Sequence, residues 1–204
     1  MSDYALVGEA FVTLFVIMDP PGAVPIFLAL TGAMDSRTRN RAALQATALS
    51  LGVIALFAVA GQRIIDYLGI ELPALQGAGG LLLLLVALEL LTGKADDPTQ
   101  QATANVALVP LGTPLLAGPG AIVAVILFVQ RADSVLGYAA VGTAIVGVHL
   151  TIYLVMRFSS VIVRIIKRGG IEVLTRISGL LLAAIAIQLI AEAIAGYVQH
   201  YTVG

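Results

Sequence analysis

The 204-residue sequence has no cysteine, no tryptophan and only two histidines. Without cysteine the chain cannot form disulfides, iron–sulfur clusters or thiolate zinc sites. The two histidines, His149 and His200, are too far apart in the sequence to suggest a histidine metal site. We therefore predict no cofactor and no bound metal. The net charge of −1 provides no basic field, so we expect no nucleic-acid partner.

Charged residues are also scarce. They make up 11% of the chain, against 59% hydrophobic residues and a mean hydropathy of +1.01. A soluble domain has about 25% charged residues, so this chain cannot cover its own surface in water. We predict an all-α integral membrane protein. The sequence has no His-Glu-x-x-His pair, Gly-x-Ser-x-Gly elbow or phosphate-binding Gly-Lys-Ser/Thr loop, and we do not expect an enzyme.

Six stretches of the sequence meet the requirement of about 20 mostly apolar residues for a transmembrane helix. They cover approximately residues 4–30, 42–62, 73–91, 106–130, 135–158 and 173–198. We expect an interfacial helix to continue the fifth stretch to residue 166. Helix-breaking residues interrupt the first stretch at 19–22 and the fourth at 112–120, so both of these helices are predicted to be discontinuous.

The distribution of positive charge orients these spans by the positive-inside rule. Nine of the eleven Lys and Arg fall on one side of the predicted membrane: Arg37, Arg39, Arg41, Lys94, Arg157, Arg164, Lys167, Arg168 and Arg176. Only Arg63 and Arg131 fall on the other side. The first side is thus predicted to face the cytoplasm, with both termini outside it.

The two halves of this single membrane domain, about 1–102 and 103–204, resemble each other at an offset close to 100 residues. The matching strings are Pro21-Gly22-Ala23-Val24 with Pro119-Gly120-Ala121-Ile122, Gly69-Ile70-Glu71 with Gly170-Ile171-Glu172, and Gly80-Leu81-Leu82-Leu83 with Gly179-Leu180-Leu181-Leu182. Each half holds three predicted spans, so the second copy would be inverted, as in many secondary transporters. The alternative is that short glycine–leucine strings match by chance.

The two interruptions carry the chemistry that we can read from the sequence. Backbone that leaves the helix inside a membrane survives only where protein or a wet cavity surrounds it. Each break creates helix ends whose free N–H groups and carbonyls can receive an anion and a cation, respectively. Half-helices starting near 22–23 and 120–121 are therefore candidate receptors for a small anionic or zwitterionic solute. The alternative is that these prolines and glycines only kink the helices.

Four polar residues are candidates for coupling or for lining a cavity. Asp19 could bind a substrate ammonium group or a cation, or carry a proton, or it could cap the second half-helix. His149 could relay protons, or be neutral and bonded to a backbone carbonyl. Gln188 and Glu192 share one face of the last span. Gln188 is expected in a cavity or against another helix, and Glu192 in a cavity or at the interface.

Two motifs resemble the MarC family of six-span membrane proteins, also known as UPF0056 or the neutral amino acid transporter family. They are Asp19-Pro20-Pro21-Gly22-Ala23-Val24-Pro25-Ile26-Phe27 and Pro110-Leu111-Gly112-Thr113-Pro114-Leu115-Leu116-Ala117-Gly118-Pro119-Gly120-Ala121-Ile122. The resemblance covers essentially the whole chain. It differs at Ala23, where relatives usually have Asn.

The resemblance implies transport of small neutral amino acids across the inner membrane, within a superfamily that includes LysE-type exporters. It implies a substrate-facing set of Asp19, Gly22, Pro25, Thr113, Gly118 and Gly120. Pro20, Ala23, Pro114 and Pro119 complete the candidate substrate-binding residues of the two breaks. We predict a secondary transporter for alanine- or glycine-like zwitterions in the lipid bilayer, coupled to protons or sodium. The alternatives are a channel or exporter for other small solutes and a non-transporting membrane protein, and the sequence leaves a homo-oligomer open.

The charge distribution leads to a test of orientation. A reporter enzyme that is active only outside the cytoplasm, fused after Gly204, should be active because the C-terminus is predicted to lie there. The matched control is the same reporter fused into the arginine-rich loop at residue 38, where it should be inactive. An active cytoplasmic reporter at the C-terminus would contradict the predicted orientation.

Overall fold

The computed structural model describes residues 3–32, 34–92 and 116–202, and within these ranges the chain is helical without strands. The helices are α1 (Asp3–Met18), α2 (Pro20–Thr31), α3 (Ser36–Leu68), α4 (Leu72–Thr92), α5 (Pro119–Gln130), α6 (Val135–Arg157) and α7 (Ser159–Thr202). The prediction of an all-helical chain is confirmed.

Five segments of these helices are long and apolar enough to cross a membrane. They are Ala5–Val24, Ser36–Leu68, Leu72–Thr92, Val135–Arg157 and Gly169–Gln199. A shorter apolar segment, Gly120–Gln130, corresponds to the second part of the predicted fourth span. The first part of that span, residues 106–115, lies outside the described residues. Six spans, the inverted repeats and the orientation of the termini therefore stay predictions.

Helix α3 is longer than the predicted span of residues 42–62. Its 33 residues measure about 50 Å, whereas a bilayer core is about 30 Å thick. Asp35 starts the helix by accepting hydrogen bonds from the backbone N–H groups of Arg37 (3.0 Å) and Thr38 (3.3 Å). Bonding to Thr38 holds the pKa of Asp35 below its usual value. Gly69, with φ 65°, ends the helix. A count of apolar residues misses these polar end turns.

A helical segment covers residues 159–166 and ends at Lys167, so the expected helix to residue 166 is present, set off from the fifth span by a turn at Phe158. Helix α6 ends at Arg157, and Phe158 leaves helical geometry with φ −98° and ψ 13°. The Phe158 carbonyl then accepts from the N–H groups of Val161 (2.9 Å) and Ile162 (3.0 Å), which starts α7. Helix α7 has a kink at Lys167, where φ is 61° and ψ is 165°. Residues 159–166 thus form a short helix of their own between the fifth and the last apolar spans, and their place at the membrane interface stays a prediction.

The helices pack so that the discontinuous pair α1–α2 contacts several others. Helix α1 packs on α5, α6 and α7, and α2 packs on α6 and α7. Helix α3 lies against α5 and α6, and α4 lies along α7. Large apolar side chains such as Val59, Leu85 and Leu180 are exposed on the outer surface. Lipid would cover such a surface in an integral membrane protein.

Glycines bring α4 and α7 into close contact. A Cβ atom added at Gly80 would lie 2.8 Å from the Ala186 carbonyl oxygen and 2.8 Å from the Ile190 side chain. A Cβ at Gly179 would lie 3.3 Å from the Ala87 carbonyl oxygen. Small residues at helix crossings allow membrane helices to pack backbone against backbone.

We expect Gly80→Ala to destabilise the protein by about 1–3 kcal/mol, because the methyl group overpacks the α4–α7 contact. Gly142→Ala is the matched control, since nothing lies within 4 Å of a Cβ at this position in α6. It should be neutral or stabilising by up to about 1 kcal/mol. Thermal unfolding in detergent, followed by circular dichroism, measures both. Equal unfolding temperatures for the two variants would contradict the close packing.

Candidate functional site

The first break is confined to Asp19. This residue has left-handed backbone geometry, with φ 39° and ψ 68°. Pro20 and Pro21 occupy the first turn of α2, where proline is tolerated. Because they have no N–H groups, the carbonyls of Val16 and Ile17 lose their usual helical donors. The predicted interruption at 19–22 is therefore shorter than expected, although two carbonyls at the end of α1 are without their usual helical donors.

The Asp19 carboxylate is buried, with 7% of the residue exposed. It lies against Gly22, where any side chain would overlap it. The Ser178 hydroxyl of α7 lies beside it, without a hydrogen bond of ordinary geometry. Neither carboxylate oxygen makes a hydrogen bond of ordinary geometry within the described residues, although the Gly22 N–H also lies beside the carboxylate, and no side-chain cap bond to α2 forms. The alternative role of Asp19 as a helix cap is thus not observed.

The second break precedes α5. Gly118 is extended, with φ −65° and ψ 162°, and α5 begins at Pro119. The Ile122 N–H donates to the Gly118 carbonyl (3.2 Å) and closes the first turn. Gly120 is buried and packs against the Leu83 side chain of α4. The predicted site residues Thr113 and Pro114 lie outside the described residues.

Both breaks border one buried apolar cluster. This cluster contains Met18 and Ala23 beside the first break, and Ala117 and Ala121 beside the second. Pro20 and Gly22 are buried, Gly118 is half-buried, and Pro25 lies within α2. The structure therefore brings residues next to the two breaks into a shared core, and the side chains there are small.

His149 is buried in α6 and joins α6 to α3. Its Nδ1 donates to the Ile145 carbonyl (2.8 Å). In the neutral ring, Nε2 then accepts from the Ser50 hydroxyl of α3 (3.1 Å). This geometry matches the alternative in which His149 is neutral and bonded to a backbone carbonyl. A coupling role for His149 stays a prediction.

Gln188 and Glu192 line a cleft of about 340 Å³ between α1, α5 and α7. Gln188 donates to Glu192 (3.0 Å), and Gln76 of α4 also donates to Glu192 (3.2 Å). Arg131, at the end of α5, lies 3.0 Å from Glu9 and 3.8 Å from Glu192. The sequence did not predict this network, although a charged residue at the end of each of two apolar spans was a visible signal.

Comparison with known proteins decides the family. The family model described as "MarC family integral membrane protein" matches residues 4–198. The chain belongs to the MarC family. A UPF0056 membrane protein of Methanocaldococcus jannaschii is 36% identical over 92% of this chain and 95% of its own length. One from Aquifex aeolicus is 32% identical over 94% of each chain.

The UPF0056 inner membrane protein MarC of Escherichia coli O139:H28 is 30% identical, over 97% of this chain and 98% of its own length. No solved structure matches the chain. The resemblance read from the two motifs is thereby confirmed. The relatives' names describe membrane proteins of the MarC family without stating a substrate.

The burial of Asp19 in this MarC-family chain leads to a stability prediction. At mildly alkaline pH, Asp19→Asn should raise the free energy of unfolding by ~1–3 kcal/mol, because it removes a buried charge without a hydrogen-bond partner. The exposed Asp133→Asn is the control and should have no effect. Thermal unfolding in detergent measures both. A destabilised Asp19→Asn variant would mean that the carboxylate has a stabilising partner.

Proposed function

We propose that this MarC-family protein is a secondary transporter of small neutral amino acids, with its substrate held at the two helix breaks. The observation that carries the proposal is Asp19: a buried carboxylate without a hydrogen-bond partner at a break in a membrane-spanning segment. A charge in such a place is costly unless a ligand or an ion meets it. A purely structural kink would not need a carboxylate.

The helix ends at the breaks suit a zwitterion. The carbonyls freed at the end of α1, together with Asp19, offer negative partial and full charge to an ammonium group. The N-termini of α2 and α5 offer the positive end of the helix dipole to a carboxylate, together with the N–H groups of Gly22, Gly120 and Ala121, since the prolines at positions 20, 21 and 119 have none. The side chains of Ala23, Ala117 and Ala121 beside the breaks are small, which suits a small ligand such as alanine or glycine.

Several features support the proposed inverted repeat. Helices α2 and α5 begin at Pro20 and Pro119, which are 99 positions apart, and α3 and α6 begin at Ser36 and Val135, also 99 apart. Packing follows the same correspondence, because α2 contacts α6 and α7 whereas α5 contacts α3 and α4. Repeats of this kind place the substrate near the midplane, at discontinuous helices.

Contacts between equivalent residues add further support. Gly80 faces Ala186 of α7, and Gly179 faces Ala87 of α4, so the two contacts are reciprocal at a shift of 99. Ser50 and His149, also 99 positions apart, bond to each other. Under a two-fold relation between the repeats, residues that contact their own counterpart lie at the axis. We therefore propose that the axis passes between α3 and α6 at this pair.

We propose the inner membrane as the location, with both termini outside the cytoplasm. The E. coli relative is named an inner membrane protein. A hydrogen bond from Arg39 to the Ser160 hydroxyl (2.9 Å) joins two of the segments predicted to face the cytoplasm. Positive charges of the first loop and of the start of α7 thus lie at one end of the bundle, as the positive-inside rule requires.

The proposed transport is tested by counterflow in liposomes. Wild-type protein should exchange labelled alanine for unlabelled alanine in a saturable manner. Asp19→Asn should reduce the initial rate at least tenfold and remove its pH or sodium dependence, because the carboxylate is proposed to meet the ammonium group or the coupling ion. Asp133→Asn is the control and should exchange alanine at the wild-type rate.

Each outcome has a distinct meaning. No alanine exchange by wild-type protein would contradict amino acid transport. Saturable exchange of ions or other small solutes would favour the alternative of a channel or a different exporter, and no exchange of any solute would favour a non-transporting membrane protein. Unchanged counterflow and pH dependence in Asp19→Asn would remove Asp19 from the mechanism while leaving transport in place.

A further inference from the structure

The cleft between α1, α5 and α7 extends from charged residues at one end of the bundle to Ile17, two residues before the first break at Asp19. Glu9, Arg131 and Glu192 line its mouth, and Ile17 and Ala124 line its deeper part. Ile17 is the residue whose carbonyl loses its helical donor at Pro21. The volume of the cleft, about 340 Å³, is enough for a small amino acid. A solute in this cleft would lie between the mouth and the break.

Arg131 is shared unequally between two carboxylates at the mouth. It lies 3.0 Å from Glu9 and 3.8 Å from Glu192. Glu192 is also held by Gln188 of its own helix and by Gln76 of α4. Within the described residues, Glu9 forms its ion pair with Arg131. Glu192 is therefore the fixed carboxylate and Glu9 the exchangeable one.

We propose that Glu9, Arg131 and Glu192 form a reception site for a zwitterion at the mouth of this cleft. The ligand carboxylate replaces Glu9 on Arg131, and the ligand ammonium group binds Glu192. This inference rests on the proposed function and adds to it a second binding position, separate from the helix breaks.

The charges at the mouth favour a zwitterion over a simple ion. Two carboxylates and one guanidinium group leave a surplus of one negative charge, so a simple anion meets repulsion. A simple cation has no carboxylate that could replace Glu9, so the ion pair between Glu9 and Arg131 stays intact. A molecule with both groups supplies a substitute partner to Arg131 and a cation to Glu192, and brings no net charge. The guanidinium fork of Arg131 suits a carboxylate in a two-bond contact.

The geometry around Arg131 keeps the free-energy cost of replacing Glu9 by a ligand carboxylate low. The Glu9 and Arg131 side chains are 41% and 46% exposed, and an ion pair this exposed to solvent is weak. The guanidinium carbon lies 5.9 Å from the centre of the Phe128 ring, within the range of a cation–π contact. Phe128 also lines the cleft, so Arg131 keeps a contact there when Glu9 leaves it.

Binding of L-alanine to purified protein, measured by isothermal titration calorimetry, tests this site. Glu9→Gln should tighten binding about two- to fivefold, because it removes a weak competitor for Arg131. Arg131→Gln should weaken binding at this site at least tenfold, because it removes the partner of the ligand carboxylate, and should leave the separate binding event at the helix breaks in place. Propionate and ethylamine, which each lack one charge of alanine, should both bind at least tenfold more weakly to wild-type protein.

The control is another exposed ion pair outside the cleft. Arg176 lies 2.7 Å from Glu172 on α7, with both side chains more than half exposed. Glu172→Gln and Arg176→Gln should bind alanine like wild-type protein. Arg131→Lys keeps the positive charge but loses the planar guanidinium fork, and it should weaken binding severalfold. This variant tests the site if Arg131→Gln does not fold.

The opposite directions of the two effects separate a binding role from a structural one. If Glu9→Gln and Arg131→Gln weaken binding alike, the pair only stabilises the fold and the reception site is wrong. If wild-type protein binds and exchanges alanine but neither variant changes the Kd, the reception site is wrong and the proposed function stands. If wild-type protein neither binds nor exchanges alanine, both proposals are wrong.

Discussion

Backbone polar groups inside a bilayer must find partners within the protein, because hydrocarbon offers none. The break at Asp19 is where this constraint is most severe, with two prolines that cannot donate and a carboxylate beside them. Such a segment is tolerable only at the centre of a bundle. Helices α5, α6 and α7 surround α1 and α2, and glycines let α4 approach α7 closely. The packing of the other helices thus offsets the free-energy cost of the break.

The positions of the five long apolar helical segments, of the break at Asp19 and of the start of α5 could be predicted from the sequence, because they depend on local composition. The prolines and Gly22 mark the first break, and Gly118 and Pro119 mark the second. Helix ends were less predictable. Asp35 caps α3 seven residues before the apolar stretch that begins at residue 42, and α3 ends at Leu68, six residues beyond the predicted end at residue 62. Hydropathy alone does not register polar turns that continue a helix beyond the membrane.

Contacts between distant residues could not be predicted at all. Glu9 and Arg131 are 122 positions apart, and nothing in either local sequence specifies the other. The same holds for Ser50 and His149, whose contact depends on how α3 crosses α6. Sequence reasoning placed Gln188 and Glu192 on one helix face, which the hydrogen bond between them supports. It did not reveal the arginine and the second carboxylate that complete the cleft.

The bond between Ser50 and His149 has a consequence for how such a chain can evolve. Two identical half-length subunits would have to place the same residue on both sides of a two-fold axis, so neither side could be a dedicated donor or acceptor. A single fused chain is free of that restriction. Here His149 Nδ1 is committed to the Ile145 carbonyl, which leaves Nε2 as the acceptor and Ser50 as the donor. Under the proposed two-fold relation, a single chain can therefore carry different side chains at the two equivalent positions, one as the donor and one as the acceptor.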